Sequence, residues 1–471
     1  MYMKKYILPI VLVFIASCSN DSYEELNQDP NKPTTVSADA LFTSATKSLF
    51  DQMESTNVNN NVFRLFSQYW TQTTYIDESN YDLITRSIPD AHWSELYRDV
   101  LYDLNDAKSK ATSATQIAQI EVLEVYTWQI LVDTFGDIPY TEALQGSAIA
   151  QPRYDNDTDI YASLLTRINS AIATLTSSTS TGFTNSDVIY GGSISKWKKF
   201  ANSLKLKLAM RLADVNNNVA KQNAEQAFVS GLFTSNADNA HIQYEANATN
   251  ANPVWYDLVQ SNRNDFVISN TFVNRLNSLN DPRRAVFFEQ NLGANTYLGG
   301  PYGDNNSYST YTHVNEAISA QDFRGVLMDY SEIEFLLAEA KERGYTITGT
   351  AEDHYNAGIT ANMLDWGVAS SNISTYLAQT SVNYSTATGT WRQKIGTQFW
   401  IAMYNRGFEG WSVWRKFDTP NLNIPVVSGL PVPTRYTYPI REQNLNGANR
   451  AAAAAAIGGD AMTTKVFWDV N

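Results

Sequence analysis

The sequence predicts a mainly α-helical fold, in which a scaffold of paired helices carries long loops within one globular unit. Amphipathic runs with apolar residues at three- and four-residue spacing recur along the chain, the pattern of helices that bury one face. The long irregular stretches between the runs are rich in aromatic residues, which argues against disorder. No linker rich in proline and serine divides the chain, and the helical runs share no fixed repeat, so we expect helical hairpins rather than a regular solenoid.

The chain begins with a secretory signal. Lys4 and Lys5 precede an apolar run at 6–15, which is too short for a membrane-spanning helix of about 20 residues. Cys18, the only cysteine among 471 residues, follows Ala16-Ser17 and resembles the lipidated cysteine of a bacterial lipobox. The alternative is an ordinary signal followed by an incidental free thiol. We expect a lipoprotein signal at 1–17 and a lipid anchor on Cys18.

A polar tether follows the anchor. Residues 18–35 contain several carboxylates together with Pro30 and Pro33, and they have too little apolar surface to fold alone. The acidic start resembles the export signal that places Bacteroidetes lipoproteins on the outer leaflet of the outer membrane, although only Asp21 lies close to Cys18. We therefore expect an outer-membrane protein exposed at the cell surface, whose single domain comprises residues 36–471.

The helices of that domain are predicted by periodicity and by their end signals. The run 117–135 ends at Gly136, and Pro139 follows it; the run 328–343 ends at Gly344. The run 197–212 is expected to place its basic residues largely on the face opposite its apolar stripe. Further helices are predicted at 161–175, 222–228, 391–414 and 451–456, and the glycines at 396, 407 and 410 are expected to divide 391–414 into two helices with a bend.

Three irregular stretches, 69–90, 243–264 and 291–315, combine aromatic rings with amides and an arginine. Rings stack on the C–H faces of sugars while amides bond to hydroxyl groups, so this composition is typical of carbohydrate recognition. The predicted ligand-binding residues are Trp70, Gln72, Tyr75, Asn80, Tyr81, Arg86, Trp255, Tyr297, Tyr302, Tyr308 and Tyr311. The alternative is that many of these rings belong to the core, which is the interpretation we favour for Trp93 and Tyr97, four residues apart on a helix.

Charge and composition exclude several functions. A formal net charge of −14 argues against binding to nucleic acid or directly to anionic lipid. One cysteine excludes a structural zinc site built from cysteines, and no cofactor is predicted. The alternating carboxylates of 155–159 resemble a calcium loop, but Ile160 and Thr166 stand where that loop needs glycine and glutamate. We favour acids at the start of a helix instead.

No catalytic motif is present. The chain contains no convincing nucleophile elbow, and the segment 299–303 lacks the lysine and hydroxyl residue of a phosphate-binding loop. The nearest carboxylate cluster is Glu332, Glu334 and Glu339, on one amphipathic helix, so a solvated or structurally paired face is favoured over a glycosidase pair. A binding protein is therefore predicted rather than an enzyme, with a surface glycoside hydrolase and a pure protein scaffold as rivals.

Several short motifs, in order along the chain, resemble those of the SusD/RagB family of nutrient-binding lipoproteins. They are 29–33 (Asp-Pro-Asn-Lys-Pro), 131–143 (Leu-Val-Asp-Thr-Phe-Gly-Asp-Ile-Pro-Tyr-Thr-Glu-Ala), 197–206 (Trp-Lys-Lys-Phe-Ala-Asn-Ser-Leu-Lys-Leu), 330–340 (Tyr-Ser-Glu-Ile-Glu-Phe-Leu-Leu-Ala-Glu-Ala), 407–411 (Gly-Phe-Glu-Gly-Trp) and 467–469 (Phe-Trp-Asp). The resemblance extends from Cys18 to the C-terminus.

The resemblance implies tetratricopeptide-like helix pairs packed against a variable, loop-rich region. It also implies an outer-membrane protein that captures oligosaccharides, or in some members peptides, and covers a SusC-like TonB-dependent transporter without doing chemistry. The binding residues vary between members, so the resemblance assigns none of them, and the aromatic candidates depend on the residues alone.

Overall fold

The structure is a computed structural model and describes residues 36–471; the predicted signal, the tether and Cys18 lie outside the described residues. Its α-helices are α1 (Ala38–Glu54), α2 (Phe63–Phe66), α3 (Ile88–Ser94), α4 (Tyr102–Lys110), α5 (Ala114–Phe135), α6 (Asp157–Ser177), α7 (Ile194–Arg211), α8 (Asn217–Ser230), α9 (Asn270–Ser278), α10 (Arg284–Phe287), α11 (Tyr330–Glu342), α12 (Ala351–Asp365), α13 (Ser370–Leu377), α14 (Trp391–Ala402), α15 (Gly407–Phe417), α16 (Ile440–Leu445) and α17 (Gly447–Ala456). Two π-helical segments, Glu95–Leu101 and Trp255–Gln260, and short 3₁₀ turns complete the helical structure.

The scaffold consists of helix pairs that pack against one another. Consecutive helices pack as α5 on α6, α7 on α8, α11 on α12 and α14 on α15, while α1 packs on α4. The pairs join because α6 also packs on α7, and α11 packs on both α7 and α14. Residues Ala38–Asn471 form one compact unit with a continuous apolar core. The prediction of a mainly α-helical, tetratricopeptide-like scaffold with loops is thus confirmed.

The predicted helices are present, and their ends follow the local chemistry. Gly136, with φ +80°, follows α5, and the carbonyl of Val132 accepts the Gly136 N–H at 2.8 Å. Asn156 caps α6 by accepting the Thr158 N–H at 3.1 Å. The acidic segment 155–159 therefore begins a helix, as the favoured interpretation predicted, and the described residues contain no cluster suited to a metal ion.

The division of 391–414 into α14 and α15 is confirmed, but the role assigned to two of its glycines is wrong. Gly396 and Gly410 lie inside the helices and do not break them. Each glycine lets another side chain approach the helix backbone closely. A Cβ atom on Gly396 would lie 2.4 Å from Thr419 Cγ2. The break falls at residues 403–406, where Asn405 adopts a positive φ of 70°.

Three short antiparallel ladders fix the long connections on the scaffold. They are β1 (Trp70–Gln72) with β5 (Phe266–Ile268), β2 (Ile138–Pro139) with β3 (Tyr154–Asp155), and β4 (Ala240–Ile242) with β6 (Gly325–Met328). In the first ladder Trp70 pairs with Ile268 and Gln72 with Phe266. This ladder therefore holds the stretch 69–90, which contains β1, beside the end of the stretch 243–264, which precedes β5.

Buried ion pairs connect the helices at the centre of the scaffold. Glu332 on α11 accepts from Arg406 at 2.6 Å and faces Lys207 on α7 at 3.2 Å. Lys207 also pairs with Glu409 on α15. Burial raises the pKa of Glu332, but the two cations outweigh burial and hold that pKa below its usual value. Buried charges are tolerated only when paired in this way.

A second buried network lies further along the same helices. Glu339 on α11 faces Lys416 at 3.2 Å and Arg343 at 2.9 Å, and Asp214 binds the same two cations. The acids of α11 are thus structurally paired, one of the two roles that the sequence predicted for them. The prediction for the basic residues of α7 is wrong at Lys205, Lys207 and Arg211, which are all buried. No helix within residues 36–471 has the length and apolar character needed to cross a bilayer.

Candidate functional site

One cleft of the domain lies where the β1–β5 ladder ends. Its volume is about 260 Å³, and it is lined by residues that follow β1, precede β5 or belong to the turn after α1. The lining residues are Thr56, Asn57, Val58, Asn59, Gln72, Thr74, Tyr75, Arg86, Tyr256, Asp257, Ser261, Arg263, Asp265 and Phe266. The ladder continues for one bond beyond Gln72, since the Thr73 N–H donates to Asp265 O at 2.9 Å.

Tyr75 is the most exposed aromatic ring of this cleft, with 64% of its surface accessible. Its backbone has a positive φ of 48°, a strained conformation for a residue with a bulky side chain. The Gln72 side chain holds that backbone, because Nε2 donates to Tyr75 O at 2.9 Å. The Arg263 guanidinium lies 5.9 Å from the centre of the ring, within reach of a cation–π contact. The protein thus keeps an aromatic face in solvent at a structural cost.

Gln72 is a positioning residue beneath the cleft. It is 2% exposed, and its Oε1 accepts from the Ser79 N–H at 2.8 Å and from Ser79 Oγ at 2.7 Å. Its Nε2 also donates to Glu78 at 2.6 Å, and Glu78 pairs with Arg86. Burial raises the pKa of Glu78, opposed by these hydrogen bonds. One buried glutamine therefore links the Tyr75 backbone to the guanidinium of Arg86, which is partly exposed in the cleft.

The opposite wall of the cleft is the π-helical segment Trp255–Gln260 and the loop after it. Tyr256 lines the cleft, and Trp255 contacts its ring edge-to-face with the centroids 5.2 Å apart. Asp257 Oδ2 accepts from the Thr56 N–H at 2.9 Å, so this wall is attached to the turn after α1. Burial raises the pKa of Asp257. Asp265 pairs with Arg263 at 2.5 Å, so both carboxylates of the cleft are already hydrogen-bonded.

The arrangement suits a ligand with flat apolar faces and many hydroxyl groups. The two tyrosine rings offer surfaces for stacking, and the two arginines offer donors whose charge is already balanced by carboxylates. Amides and hydroxyls of Asn57, Asn59 and Thr74 line the remaining wall. Such a lining is suited to recognition by shape and hydrogen bonds rather than by net charge.

Sequence reasoning identified Gln72, Tyr75 and Arg86 in this cleft but missed Tyr256 and Arg263. The sequence contained only a weak signal for these two residues. Both missed residues lie in the irregular stretch 243–264 that the sequence singled out. Only the β1–β5 register brings that stretch to the end of β1.

Four of the predicted rings are buried in the core and do not line the cleft. Trp70 is 1% exposed, and its Nε1 donates to Tyr404 Oη at 3.2 Å. Tyr81 and Tyr302 are equally buried, with their ring centres 6.1 Å apart, and Tyr302 Oη donates to Leu65 O at 2.7 Å. Tyr297 is 8% exposed and packs edge-to-face against a phenylalanine. For these rings the core alternative, rather than ligand contact, describes the structure.

The remaining candidates lie outside the lining of the cleft. Asn80 connects loops: its Nδ2 donates to Gly303 O at 2.9 Å and its Oδ1 accepts from the Ser428 N–H at 2.9 Å. Tyr308 stacks on an imidazole ring, Tyr311 is half-buried, and Trp255 supports Tyr256 from behind. The stretch 291–315 therefore does not join the other two in one site, and the prediction of ligand contact there stays untested.

Trp93 and Tyr97 pack together with their ring centres 4.7 Å apart, on the helix that runs from α3 into α4. Trp93 is 9% exposed and belongs to the core, as the sequence predicted.

Comparison with known proteins places this architecture in a family. A family model described as "SusD-like_2: Starch-binding associating with outer membrane" matches residues 30–439. A chitin-binding SusD homologue from Flavobacterium johnsoniae shares 26% identity at a TM-score of 0.80, covering 91% of this chain and 99% of that one. SusD homologues from Bacteroides ovatus and Bacteroides uniformis each share 26% identity at a TM-score of 0.79, covering 92% and 99% of the respective chains. Among curated proteins nothing matches. The chain therefore belongs to the SusD-like family.

Proposed function

We propose that this protein captures an oligosaccharide in the Tyr75 cleft and delivers it to a SusC-like TonB-dependent transporter at the outer membrane. The observation that carries the proposal is the exposed ring of Tyr75, held on a strained backbone by the buried Gln72. Strain of this kind persists only where the surroundings over-determine it, and it concentrates at functional sites. The core of the fold does not require this exposed ring.

The composition of the cleft favours a neutral sugar over an ionic ligand. Each arginine is balanced by a carboxylate, so a charged ligand gains little net attraction there. The name of the Flavobacterium relative makes chitin oligosaccharides the first ligand to test. We infer a binding role rather than hydrolysis, because both cleft carboxylates are engaged in holding the walls of the cleft.

The test is isothermal titration calorimetry with chitin oligosaccharides, starch oligosaccharides and a set of peptides. Tyr75→Ala is expected to weaken binding of the preferred saccharide about tenfold or more, since stacking and buried ring surface contribute on the order of 1–2 kcal/mol. The matched control is Tyr102→Ala, which removes a ring that is 52% exposed outside the cleft and should leave affinity unchanged. Equal affinity of wild type and Tyr75→Ala would refute this site. If the protein binds peptides and no saccharide, the ligand class is peptide rather than oligosaccharide.

Delivery and anchoring are tested in membranes. With the anchor on Cys18, the protein should fractionate with the outer membrane and resist salt washing, and Cys18→Ala should release it into the soluble fraction. Affinity purification from solubilised outer membranes should recover a large β-barrel partner. Recovery without such a partner, under conditions that retain known membrane complexes, would argue against delivery to a transporter.

A further inference from the structure

A second cleft lies at the C-terminal end of α9, and it differs from the Tyr75 cleft in its charge. Its volume is about 430 Å³, and it lies between the end of α9, the connection before α14, the first turns of α14 and residues 419–421. The two clefts share no lining residue. The second cleft was not predicted from the sequence, because its walls come from segments that lie far apart along the chain.

Two cations face this cleft, and no carboxylate lines it. Arg275 comes from the last turn of α9 and Lys394 from the first turn of α14. Among the described residues neither cation has an ion-pair partner within 4 Å, although most other arginines of the domain are paired. Lys394 Nζ donates to Tyr384 O at 2.9 Å, which leaves its other donors available. In a chain of net charge −14, a cleft lined only by positive charge is a distinct chemical feature.

The helix geometry adds to the positive potential. Thr390 caps α14 in a capping box, so its Oγ1 accepts from the Gln393 N–H at 3.3 Å while Gln393 Oε1 accepts from the Thr390 N–H at 2.9 Å. Gly389 and Gln393 line the cleft, so the N-terminus of this helix, with its partial positive charge, lies at the edge of the cleft. Gly389 has a φ of +99°, and a Cβ there would lie 2.7 Å from Gln393 Oε1, so a residue with a side chain would strain this turn.

Neutral hydrogen-bonding groups make up most of the remaining wall. Ser278, Ser381 and Thr388 are exposed at the rim. The floor is rigid at Gln398, which is 2% exposed: its Nε2 donates to Tyr376 Oη at 2.8 Å and its Oε1 accepts from Arg283 at 2.8 Å. A fixed floor with a hydroxyl-lined rim suits a polyhydroxylated ligand, and the two cations suit an acidic substituent on it.

We infer that this cleft is a second binding site, which takes a saccharide bearing a carboxylate, such as a uronate-containing oligosaccharide. Arg275 and Lys394 bind the carboxylate, and the hydroxyl and amide groups bind the ring substituents. This site goes beyond the proposed function of the Tyr75 cleft and depends on none of its residues. The Tyr75 cleft binds by shape and neutral hydrogen bonds, whereas this cleft binds by charge.

The test is a titration of the full-length purified protein with oligogalacturonate, with its carboxyl-reduced neutral counterpart and with sodium sulfate. Oligogalacturonate is expected to bind, more weakly as salt increases, and the neutral counterpart about tenfold or more weakly. The double variant Arg275→Gln/Lys394→Gln should lose about tenfold or more in affinity, because it removes two charge-assisted contacts. The charge-matched control Lys198→Gln/Arg441→Gln, which changes cations outside the cleft, should bind as wild type does.

Two further variants keep the test independent of folding and of the first site. Ser381→Glu, at an exposed rim position, should reduce oligogalacturonate binding while leaving thermal stability unchanged. Tyr75→Ala should leave oligogalacturonate affinity unchanged, so failure of either site is distinguishable from failure of the other. The inference is overturned if the acidic and neutral saccharides bind equally, if the double variant matches its control, or if sulfate alone binds as tightly as the saccharide.

Discussion

Gly410→Ala tests whether close packing, rather than chain flexibility, explains the glycines inside α14 and α15. A Cβ atom on Gly410 would lie 2.1 Å from Tyr69 Oη and 2.6 Å from Tyr69 Cζ. Tyr69 has no room to retreat, because it is fully buried, its ring lies 5.0 Å from Phe272 and 5.2 Å from Trp400, and its hydroxyl donates to Trp400 O at 2.5 Å.

The expected magnitude is the balance of three terms. Alanine is favoured over glycine inside a helix by about 1 kcal/mol. Overpacking a well-filled core costs about 1–3 kcal/mol, and displacing a buried hydroxyl from its acceptor costs about 1–3 kcal/mol. Taking the middle of each range, Gly410→Ala should lower the free energy of unfolding by about 3 kcal/mol.

The assay is urea denaturation followed by tryptophan fluorescence and circular dichroism. The matched control is Gly447→Ala at the start of α17, where a built Cβ meets nothing within 4 Å, so the unfolding free energy should be unchanged or rise by up to about 1 kcal/mol. In a Tyr69→Phe background the cost of Gly410→Ala should fall by about 1 kcal/mol or more, since the nearest atom has been removed. If Gly410→Ala unfolds at the same urea concentration as Gly447→Ala, the packing argument is refuted.

Two further predictions concern buried charge. Glu332→Gln should lower the free energy of unfolding by about 3–5 kcal/mol, because it leaves two buried cations short of a partner. The control Glu316→Gln, on the surface, should change the free energy of unfolding little. A loss below about 1 kcal/mol for Glu332→Gln in urea denaturation would contradict the network's role. His354 hydrogen-bonds Glu334 at 2.6 Å, and although burial lowers the pKa of His354, its hydrogen bonds outweigh burial and hold that pKa above 6.5. The contribution of protonated His354 to stability is therefore complete below the unfolded pKa of about 6.5, and it is lost as pH rises through the raised folded pKa. In thermal melts, the stability advantage of wild type over His354→Gln should therefore shrink between about pH 6 and pH 8. An advantage that stays constant with pH would contradict the assignment.

The helical scaffold was predictable because its signals are local. Periodic apolar residues and capping residues act within one helix, so α5, α7 and α11 could be predicted from the sequence within a few residues of their ends. The predictions were wrong where a residue far away in the sequence determines the local structure or burial. Gly410 read as a helix breaker because nothing nearby in sequence reveals Tyr69, and Lys207 read as exposed because its acidic partners lie more than 100 residues away.

The same distinction explains why only part of the candidate site could be predicted. Tyr75 and Tyr81 lie six positions apart in one polar stretch, and both have a positive φ, yet one is 64% exposed and the other 1%. Tyr81 is buried because Tyr302, far along the chain, packs against it. Tyr75 reaches solvent because the β1–β5 ladder ends before it and places Arg263 beside it. Composition indicated the candidate region, and long-range pairing determines which of its rings is exposed.

This division between scaffold and loops also bears on how the protein can change its ligand. A scaffold residue such as Glu332 is coupled to two buried cations from two other segments, so a change at one position leaves charges unpaired at others. By contrast, the Tyr75 ring contacts solvent and one partly exposed arginine, so replacing the ring disturbs few other groups. Gln72, which holds the backbone beneath the ring, joins the Tyr75 loop to the core. The fold therefore tolerates changes in the exposed side chains of these loops, provided that Gln72 continues to fix the loop that presents them.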